Sequence, residues 1–188
     1  MCIESIEEAR IYNFYGDVEP IEEGVVDVLK GFVDKLRKVI LALIDKIDKL
    51  LDKAKDGKFK TKLKDLLAKA KSLLNKTNSV SSKEKALEIK KEADDIYDSI
   101  GLIEAHRRLT NNIIDGKYDR NKVQEEIDRI EQKYGKSSFI SYHPIRKEPP
   151  YTEEDLRKLE IESAAGACSK DFYLYMAEVS EYVHNNKK

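Results

Sequence analysis

The sequence is poor in the residues that make turns and crosslinks. Its 188 residues include 8 Gly, 4 Pro, 2 Cys and no Trp. So few turn residues argue against a β-sandwich or barrel and against long flexible linkers. The two cysteines, Cys2 and Cys168, lie near opposite ends of the sequence and form neither a zinc motif nor a disulfide framework. We therefore expect a protein that works in a reducing compartment.

Long apolar runs and catalytic motifs are also missing. The longest apolar run, Val39–Ile44, has six residues, whereas a membrane-spanning helix needs roughly 18 or more. The acidic N-terminus lacks the basic and apolar regions of a signal peptide. The sequence contains no glycine-rich phosphate loop and no Gly-x-Ser-x-Gly, His-Glu-x-x-His or Cys-x-x-Cys motif. These absences predict a protein that is not an enzyme, has no cofactor, metal or small-molecule substrate, and does not enter a membrane.

A heptad pattern of apolar residues runs through residues 26–54 and is the most regular feature of the sequence. One seam position holds Val26, Val33, Ile40, Ile47 and Ala54, and the other holds Leu29, Leu36, Leu43 and Leu50. Such spacing lines one stripe of a long helix, which must be buried against other helices. The stripe is widened on both flanks by Val25, Phe32, Val39, Ile44 and Leu51. This width favours an intramolecular bundle, with an oligomeric coiled coil as the alternative.

Three more helices with short connections are predicted before residue 135. Their apolar faces recur every three or four residues, over residues 59–74, 82–114 and 119–134. Ser81 and Glu84 fit a capping box at the start of the third helix. Consecutive helices joined by short loops pack most simply as an up-down antiparallel bundle.

The composition changes after residue 136. Residues 137–151 hold three of the four prolines and should be extended, with room for one short strand along the bundle. Thr152 and Ser169 then cap two helices that form a hairpin over residues 151–184. We expect an all-α fold: an antiparallel helical bundle with long heptad-patterned helices and an appended C-terminal helical hairpin. The expected units are an acidic, aromatic N-terminal arm at 1–24, the bundle at 25–135, and the extended segment plus hairpin at 136–188.

Charge is strongly segregated although the net charge is only −1. Residues 1–29 contain eight acidic residues against Arg10, whereas residues 30–80 contain fifteen Lys or Arg against six acidic residues. Exposed aromatics beside charge are typical interface anchors, and a lysine-rich helix face attracts acidic partners. The candidate interaction residues are Tyr12, Phe14, Tyr15, Lys58, Lys60, Lys62 and Lys64. The alternatives are that the arm folds back on residues 53–76, or that the lysines form an ordinary solvated face.

Two groups of residues are candidates for other chemistry. His143, between Tyr142 and Pro144, is the first suspect if the protein is an enzyme, but no short motif supplies a nucleophile or carboxylate for it. An acidic patch on the third helix consists of Glu92, Asp94, Asp95 and Asp98. It lacks the Glu-x-x-His pattern of bundle metal sites, so a solvated helix face is favoured there.

The N-terminal layout resembles that of internal or core structural proteins of large tailed bacteriophages. The matching residues are the acidic aromatic leader Glu7–Gly16 and the amphipathic helix Val25–Lys55. The segment Ala167–Phe172, leading into Met176–Val179, is also similar. The resemblance covers about a third of the chain and includes no diagnostic motif. It implies a virion-associated or phage-encoded protein made in bacterial cytoplasm, and it implies no enzymatic activity.

The expected function is therefore that of a non-enzymatic structural or protein-interaction component, associated with a phage virion. Its partner would be a virion or host protein, or a second copy of the chain, and it would reside in the bacterial host cytoplasm or the virion. The alternative is a phage-encoded factor that binds a host protein or, more weakly, nucleic acid through the basic helix. An enzyme with its site near His143 is less favoured.

Overall fold

The computed structural model describes residues 25–54 and 57–186, and these form six α-helices. They are α1 (Val25–Asp52), α2 (Lys58–Lys76), α3 (Lys83–Ile114), α4 (Arg120–Tyr134), α5 (Glu153–Ala164) and α6 (Lys170–Asn185). The predicted all-α fold is confirmed, and no strand occurs within these ranges. The expected arm at residues 1–24, with Tyr12, Phe14 and Tyr15, lies outside the described residues.

The first core is formed by α1, α2 and most of α3, and we call it the N-terminal core. The heptad seam of α1 contributes Leu36, Ile40, Leu43 and Ile47, all of which are buried. These residues pack against Leu63, Leu66, Ala70 and Leu73 of α2 and against Ile89, Ala93, Ile96, Ile100 and Ile103 of α3. Leu41 is 51% exposed, so the apolar run Val39–Ile44 is not buried on all sides. Within the described ranges no helix combines the length and apolarity that crossing a bilayer requires.

The second core, which we call the C-terminal core, is formed by the end of α3 with α4, α5 and α6. Helix α6 is its centre, since Phe172, Tyr173, Met176 and Val179 are fully buried. Helix α3 contributes to this core from Ala105 onward, whereas its earlier buried residues belong to the N-terminal core. One continuous helix of 32 residues therefore presents one face to the first core and a different face to the second.

The packing of α4 differs from the expected organisation of the chain. The range 25–135 was expected to form one bundle, yet the buried residues of α4 (Val123, Ile127 and Ile130) belong to the C-terminal core. The two cores therefore meet inside α3 and not near residue 135. The physical reason is that α3 continues beyond the end of α1 and carries a second apolar face there. The proposed division into folding units stays a prediction.

Side-chain capping residues mark the N-terminal ends of most of the helices. Thr152 and Asp155 form the complete capping box that begins α5, and the Ser169 hydroxyl accepts the Phe172 N–H at the start of α6. The predicted cap at Ser81 is wrong by one residue, because the Ser82 hydroxyl accepts the Lys85 N–H at 3.3 Å. Two adjacent serines offer the same capping chemistry, and tertiary packing decides which of them begins the helix.

Residues 139–150, which we call the strap, run along α6 without regular structure, so the short strand considered for this segment does not form. The Ile140 N–H donates to the Cys168 carbonyl at 3.1 Å, and the Lys147 N–H donates to the Tyr175 hydroxyl at 2.9 Å. A backbone carbonyl of the turn before α6 and one side chain of α6 therefore accept hydrogen bonds that a neighbouring strand would accept in a sheet.

Candidate functional site

Helix α2 carries a dense set of lysines on its exposed surface. Its 19 residues include seven lysines and a single acidic residue, Asp65. Lys76 forms an ion pair with Glu92 at 3.0 Å, and Lys60 is half-buried and also has a partner. Five further lysines are exposed and form no ion pair with any described residue: Lys58, Lys62, Lys64, Lys69 and Lys71. The expected interaction residues of this helix thus lie at the surface, with Lys60 the least accessible.

The lysines of α2 lie in two rows on either side of a ridge that contains no basic residue. The buried face of the helix points Leu63, Leu66, Ala70 and Leu73 into the N-terminal core. Helical spacing places Lys58, Lys62, Lys69 and Lys76 on one flank, and Lys60, Lys64 and Lys71 on the other. The outward ridge between them is exposed and consists of Thr61, Asp65, Ala68, Ser72 and Asn75. We call this surface, ridge and rows together, the basic face.

The first turn of α2 is fixed against the C-terminal half of the molecule. Gly57 has a φ of +149°, and a Cβ there would lie 2.6 Å from the Ala164 carbonyl oxygen. The aliphatic stem of Lys58 lies against Gly166, where an added Cβ would come within 2.9 Å of it. Phe59 packs against both cores. The basic face therefore belongs to a helix whose first turn is packed against the C-terminal half.

A buried polar cluster lies beside this first turn, centred on His106 of α3. Its Nε2 is 2.9 Å from the Ser138 carbonyl oxygen, which only accepts, so Nε2 carries the proton. Its Nδ1 then accepts a hydrogen bond from the Tyr173 hydroxyl at 3.1 Å. Burial is the main cause that lowers the pKa of His106 to about 4, and the nearby Lys62 charge acts in the same direction. The imidazole is therefore neutral at physiological pH.

The same cluster continues from Tyr173 to Cys168. The Tyr173 hydroxyl is 3.3 Å from the Cys168 sulfur, and the hydroxyls of Thr110 and Ser163 are 2.6 Å apart close by. Burial raises the pKa of the Cys168 thiol and raises that of Tyr173 well above its ordinary value. A thiol that stays protonated and sealed is a poor nucleophile. The arrangement is therefore that of a satisfied buried network, and it offers no site for acid–base or nucleophilic chemistry.

The sequence analysis did not identify His106 as a candidate residue. A signal was present, because His106 and Thr110 occur at helical spacing among the apolar residues Leu102, Leu109 and Ile113. Polar residues inside such a stripe are predicted to be buried with hydrogen-bond partners. Their partners, however, lie far away in sequence and could not be named from the spacing.

His143, the first suspect for an enzyme, has one partner. Its Nδ1 is 2.6 Å from an Asp171 carboxylate oxygen, and its side chain is 84% exposed. A histidine–carboxylate pair is one part of a catalytic arrangement, but enclosure and a third reacting group are also needed. His143 lines neither of the principal clefts in the described part of the chain. The pair is best explained as a link between the strap and the start of α6.

The acidic patch of α3 is partly neutralised by neighbouring lysines. Glu92 pairs with Lys76 at 3.0 Å, and Asp94 pairs with Lys90 at 2.9 Å. Desolvation, with the charges of Asp94 and Asp95, raises the pKa of Asp98. No group of three or more His, Cys, Asp or Glu side chains is arranged to hold a metal ion within residues 25–54 and 57–186.

The clefts of the described surface are small or shallow. One of about 100 Å³ lies between α1, α3 and α4, and charged side chains form much of its wall, including Lys46, Glu104, Arg108 and Arg129. Lys46 and Glu104 pair with each other across it at 2.8 Å. A second, of about 400 Å³, is an open depression beside α5 that includes Glu153, Glu154 and Glu160. Neither has the mostly apolar, enclosing wall that is typical of small-molecule sites.

Comparisons with known proteins add no relative. The chain matches no protein-family model, no curated protein and no solved structure. The functional argument therefore depends on the surfaces and contacts of the molecule itself.

Proposed function

We propose that the protein is a non-enzymatic interaction component, and that the basic face of α2 is its docking surface for an acidic protein partner. The observation that carries the proposal is the set of five exposed lysines that form no ion pair with any described residue. The segments Glu7–Gly16 and Val25–Lys55 resemble the N-terminal layout of phage core proteins, which supports association with a phage virion or with a host protein during infection.

The physical basis is charge complementarity. A single exposed ion pair contributes only about 0.2–1 kcal/mol, so no one lysine would hold a partner. Rows of like charge act together, because they steer an acidic surface into place and reject basic ones. The small side chains of Thr61, Ala68 and Ser72 on the ridge allow a partner to approach closely between the rows. An acidic helix or an extended acidic segment would fit this geometry.

A protein partner is favoured over nucleic acid for two reasons. The basic face contains lysine and no arginine, whereas arginine supplies the bidentate contacts to phosphates and bases. Binding of single strands also uses exposed aromatic side chains for stacking, and the aromatic of this helix, Phe59, is packed against both cores. Nucleic acid remains the competing candidate because lysine density alone supports salt-dependent binding to phosphates.

The central experiment reverses the charge of the basic face. One variant carries Lys64→Glu, Lys69→Glu and Lys71→Glu, and a matched control carries Lys122→Glu, Lys136→Glu and Lys158→Glu, which are exposed positions of the C-terminal half. Partners would be isolated from infected host cells or virions, identified by mass spectrometry and titrated as purified proteins. We expect the wild type and the control to bind the same partner and the basic-face variant to lose it. Equal binding by both variants would overturn the proposal.

A parallel titration with duplex DNA tests the nucleic-acid alternative. If the basic face binds phosphates, affinity falls steeply with salt, with a log–log slope of about −0.9 for each phosphate neutralised. The basic-face variant would then lose DNA binding while the control retained it. No binding of the full chain to DNA at low salt would exclude this alternative.

Residues 1–16 provide a further test of how the surface is used. Tyr12, Phe14 and Tyr15 stand near Glu7 and Glu8 in the sequence, so the arm would either join the partner interface or cover the lysines. Deleting residues 1–16 abolishes partner binding in the first case. In the second case it exposes the lysines and creates salt-sensitive binding to DNA. A truncated chain that keeps its partner and ignores DNA would contradict both roles for the arm.

A further inference from the structure

His106 lies where the two halves of the molecule meet. Its ring lies nearly parallel to that of Phe59 of α2, at 6.3 Å between ring centroids, and to that of Tyr173 of α6, at 5.7 Å. Phe139, at the start of the strap, meets the ring edge-on at 5.2 Å. The imidazole is 3% exposed and both of its nitrogens are hydrogen-bonded. One neutral ring therefore joins α2, α3, the strap and α6.

The surroundings of His106 suit the neutral imidazole and oppose the imidazolium. From α2 the charged group that acts on it is Lys62, a cation. The imidazole also contacts the Tyr173 hydroxyl of α6, the Ser138 carbonyl in the turn before the strap, and the Phe139 ring of the strap. Among the described residues, no carboxylate bonds to the ring. A proton added here would therefore create a buried positive charge that is opposed by the positive charge of Lys62.

We propose that His106 is an acid-sensitive latch: protonation of its imidazole loosens the junction at which the first turn of α2 and the start of the strap lie against α3 and α6, while the N-terminal core and the rest of the C-terminal core stay packed.

The hydrogen bonds can adapt to protonation, but the charge cannot be satisfied in place. Nδ1 would become a donor to the Tyr173 oxygen, and the Tyr173 hydroxyl would turn to the Cys168 sulfur, 3.3 Å away. No hydrogen bond of the ring is lost in this rearrangement. The remaining cost is the buried positive charge facing Lys62, and it is relieved when water reaches the ring.

The junction yields before the cores because it is the smaller of the packed regions. The N-terminal core and the C-terminal core each bury a continuous set of apolar side chains without the histidine. The first turn of α2 reaches the C-terminal half mainly through Phe59 and through the close approach of Gly57 and Lys58 to the turn after α5. Local opening there exposes the His106 ring and the neighbouring Cys168.

Cys168 is a built-in reporter of this opening because it is 5% exposed and belongs to the same cluster. In a Cys2→Ser background, Cys168 is the single thiol. Its labelling by a dipyridyl disulfide, which reacts with thiols in mild acid, would be followed from pH 7 to pH 5 and normalised to an unfolded reference at each pH. With a pKa of about 4 closed and an ordinary value of 6.5 open, the open fraction rises about 25-fold.

The helical circular dichroism signal of the same samples separates local opening from global unfolding. We expect it to be unchanged at pH 5 while labelling accelerates. Labelling that does not change between pH 7 and pH 5 would overturn the proposal. So would a rise in labelling that is matched by loss of the helical signal, since the whole fold would then be opening.

Two variants assign the effect to His106. His106→Gln cannot titrate, so its labelling should not depend on pH after normalisation. Lys62→Glu replaces the facing cation by an anion on the exposed side of α2, so it should raise the NMR-measured pKa of His106 and reduce the acid-driven rise in labelling. Lys69→Glu, a matched charge reversal farther along the same helix, should behave as the wild type.

The Lys62→Glu result decides the question even if His106→Gln does not fold. If Lys62→Glu leaves both the His106 pKa and the labelling profile unchanged, the latch is excluded. The same conclusion follows if the acid-driven rise persists in a folded His106→Gln variant.

Discussion

The two cores of this molecule bury different kinds of side chain. Among the described residues, the N-terminal core buries only Leu, Ile and Ala, and the one buried polar side chain of that half, Thr77, donates a hydrogen bond to the Leu74 carbonyl in the preceding turn. The C-terminal core buries rings and hydroxyls together. Its members include Tyr151, Phe172, Tyr173 and Tyr175, and the buried polar residues around it include His106, Thr110, Ser163 and Ser180.

The comparison shows two ways of specifying helical packing. Aliphatic side chains at heptad spacing can pack against any complementary apolar stripe, so many helix pairings are about equally stable. Buried polar groups accept few arrangements, because each one left without a partner costs about 1–3 kcal/mol. In the C-terminal core every such group has a partner, since the described residues include no buried side-chain nitrogen or oxygen without one. The first core is therefore tolerant of change and the second is selective.

Truncation of a central side chain in each core is expected to have the largest effect. Phe172→Ala should lower the free energy of unfolding by about 3–5 kcal/mol and Leu43→Ala by about 2–5 kcal/mol, since both side chains are buried and leave cavities. Urea denaturation followed by circular dichroism measures both. Because α3 runs through both cores, we expect a single transition in each variant. Two transitions, of which each variant moves only one, would show that the cores unfold independently.

Acid should weaken the C-terminal half through His106. Its pKa is lowered to about 4 in the folded protein, against about 6.5 when unfolded, so the unfolded chain binds more protons between these values. The stabilisation is present above pH 6.5 and is lost as the pH falls toward 4. From pH 7 to pH 5 the free energy of unfolding should fall by about 2 kcal/mol more in the wild type than in His106→Gln. An equal loss in both proteins would place the acid sensitivity elsewhere.

The Tyr173 hydroxyl tests how selective the second core is. Tyr173→Phe keeps the ring but removes the donor to His106, and it should lower the free energy of unfolding by about 1–3 kcal/mol. Tyr182→Phe is the matched control on the same helix, because the Tyr182 hydroxyl forms no hydrogen bond with a described residue; we expect a change within about 0.5 kcal/mol. Chemical denaturation at pH 7 measures the free energy of unfolding of both variants. Similar losses in the two would mean that the hydrogen-bond network adds little to stability.

The smallest expected effects come from two helical glycines. A methyl group at Gly31 of α1 meets no atom within 4 Å, so Gly31→Ala should raise the free energy of unfolding by about 0.5–1 kcal/mol. A methyl group at Gly101 of α3 would lie 2.5 Å from the Tyr134 hydroxyl oxygen, so that ring must move and the gain is offset. The melting temperature of the Gly31→Ala variant should therefore rise more than that of the Gly101→Ala variant. A larger gain at Gly101 would mean that the contact with Tyr134 yields easily.

The spacing of apolar residues was enough to predict the helices. The long helix predicted over residues 25–55 forms over Val25–Asp52, and α3 runs past Gly101 to Ile114 as the pattern indicated. Helical periodicity and capping chemistry are local, so they can be read from residues a few positions apart. The exposed lysines of α2 follow from the same periodicity. Their role in binding, the phage association, self-association and the use of residues 1–24 stay predictions.

The contacts between distant segments were decided only in the tertiary structure. His106 and Tyr173 are 67 residues apart in sequence, as are Ser180 and Ile113, yet they share hydrogen bonds. The packing of α4 was also decided by the tertiary structure, because the spacing of its apolar residues would fit either core. A periodic pattern states which side of a helix is buried but not against what. Which helix packs against which depends on where along α3 one apolar face stops and the other begins. It also depends on which buried polar groups can form hydrogen bonds at the same time.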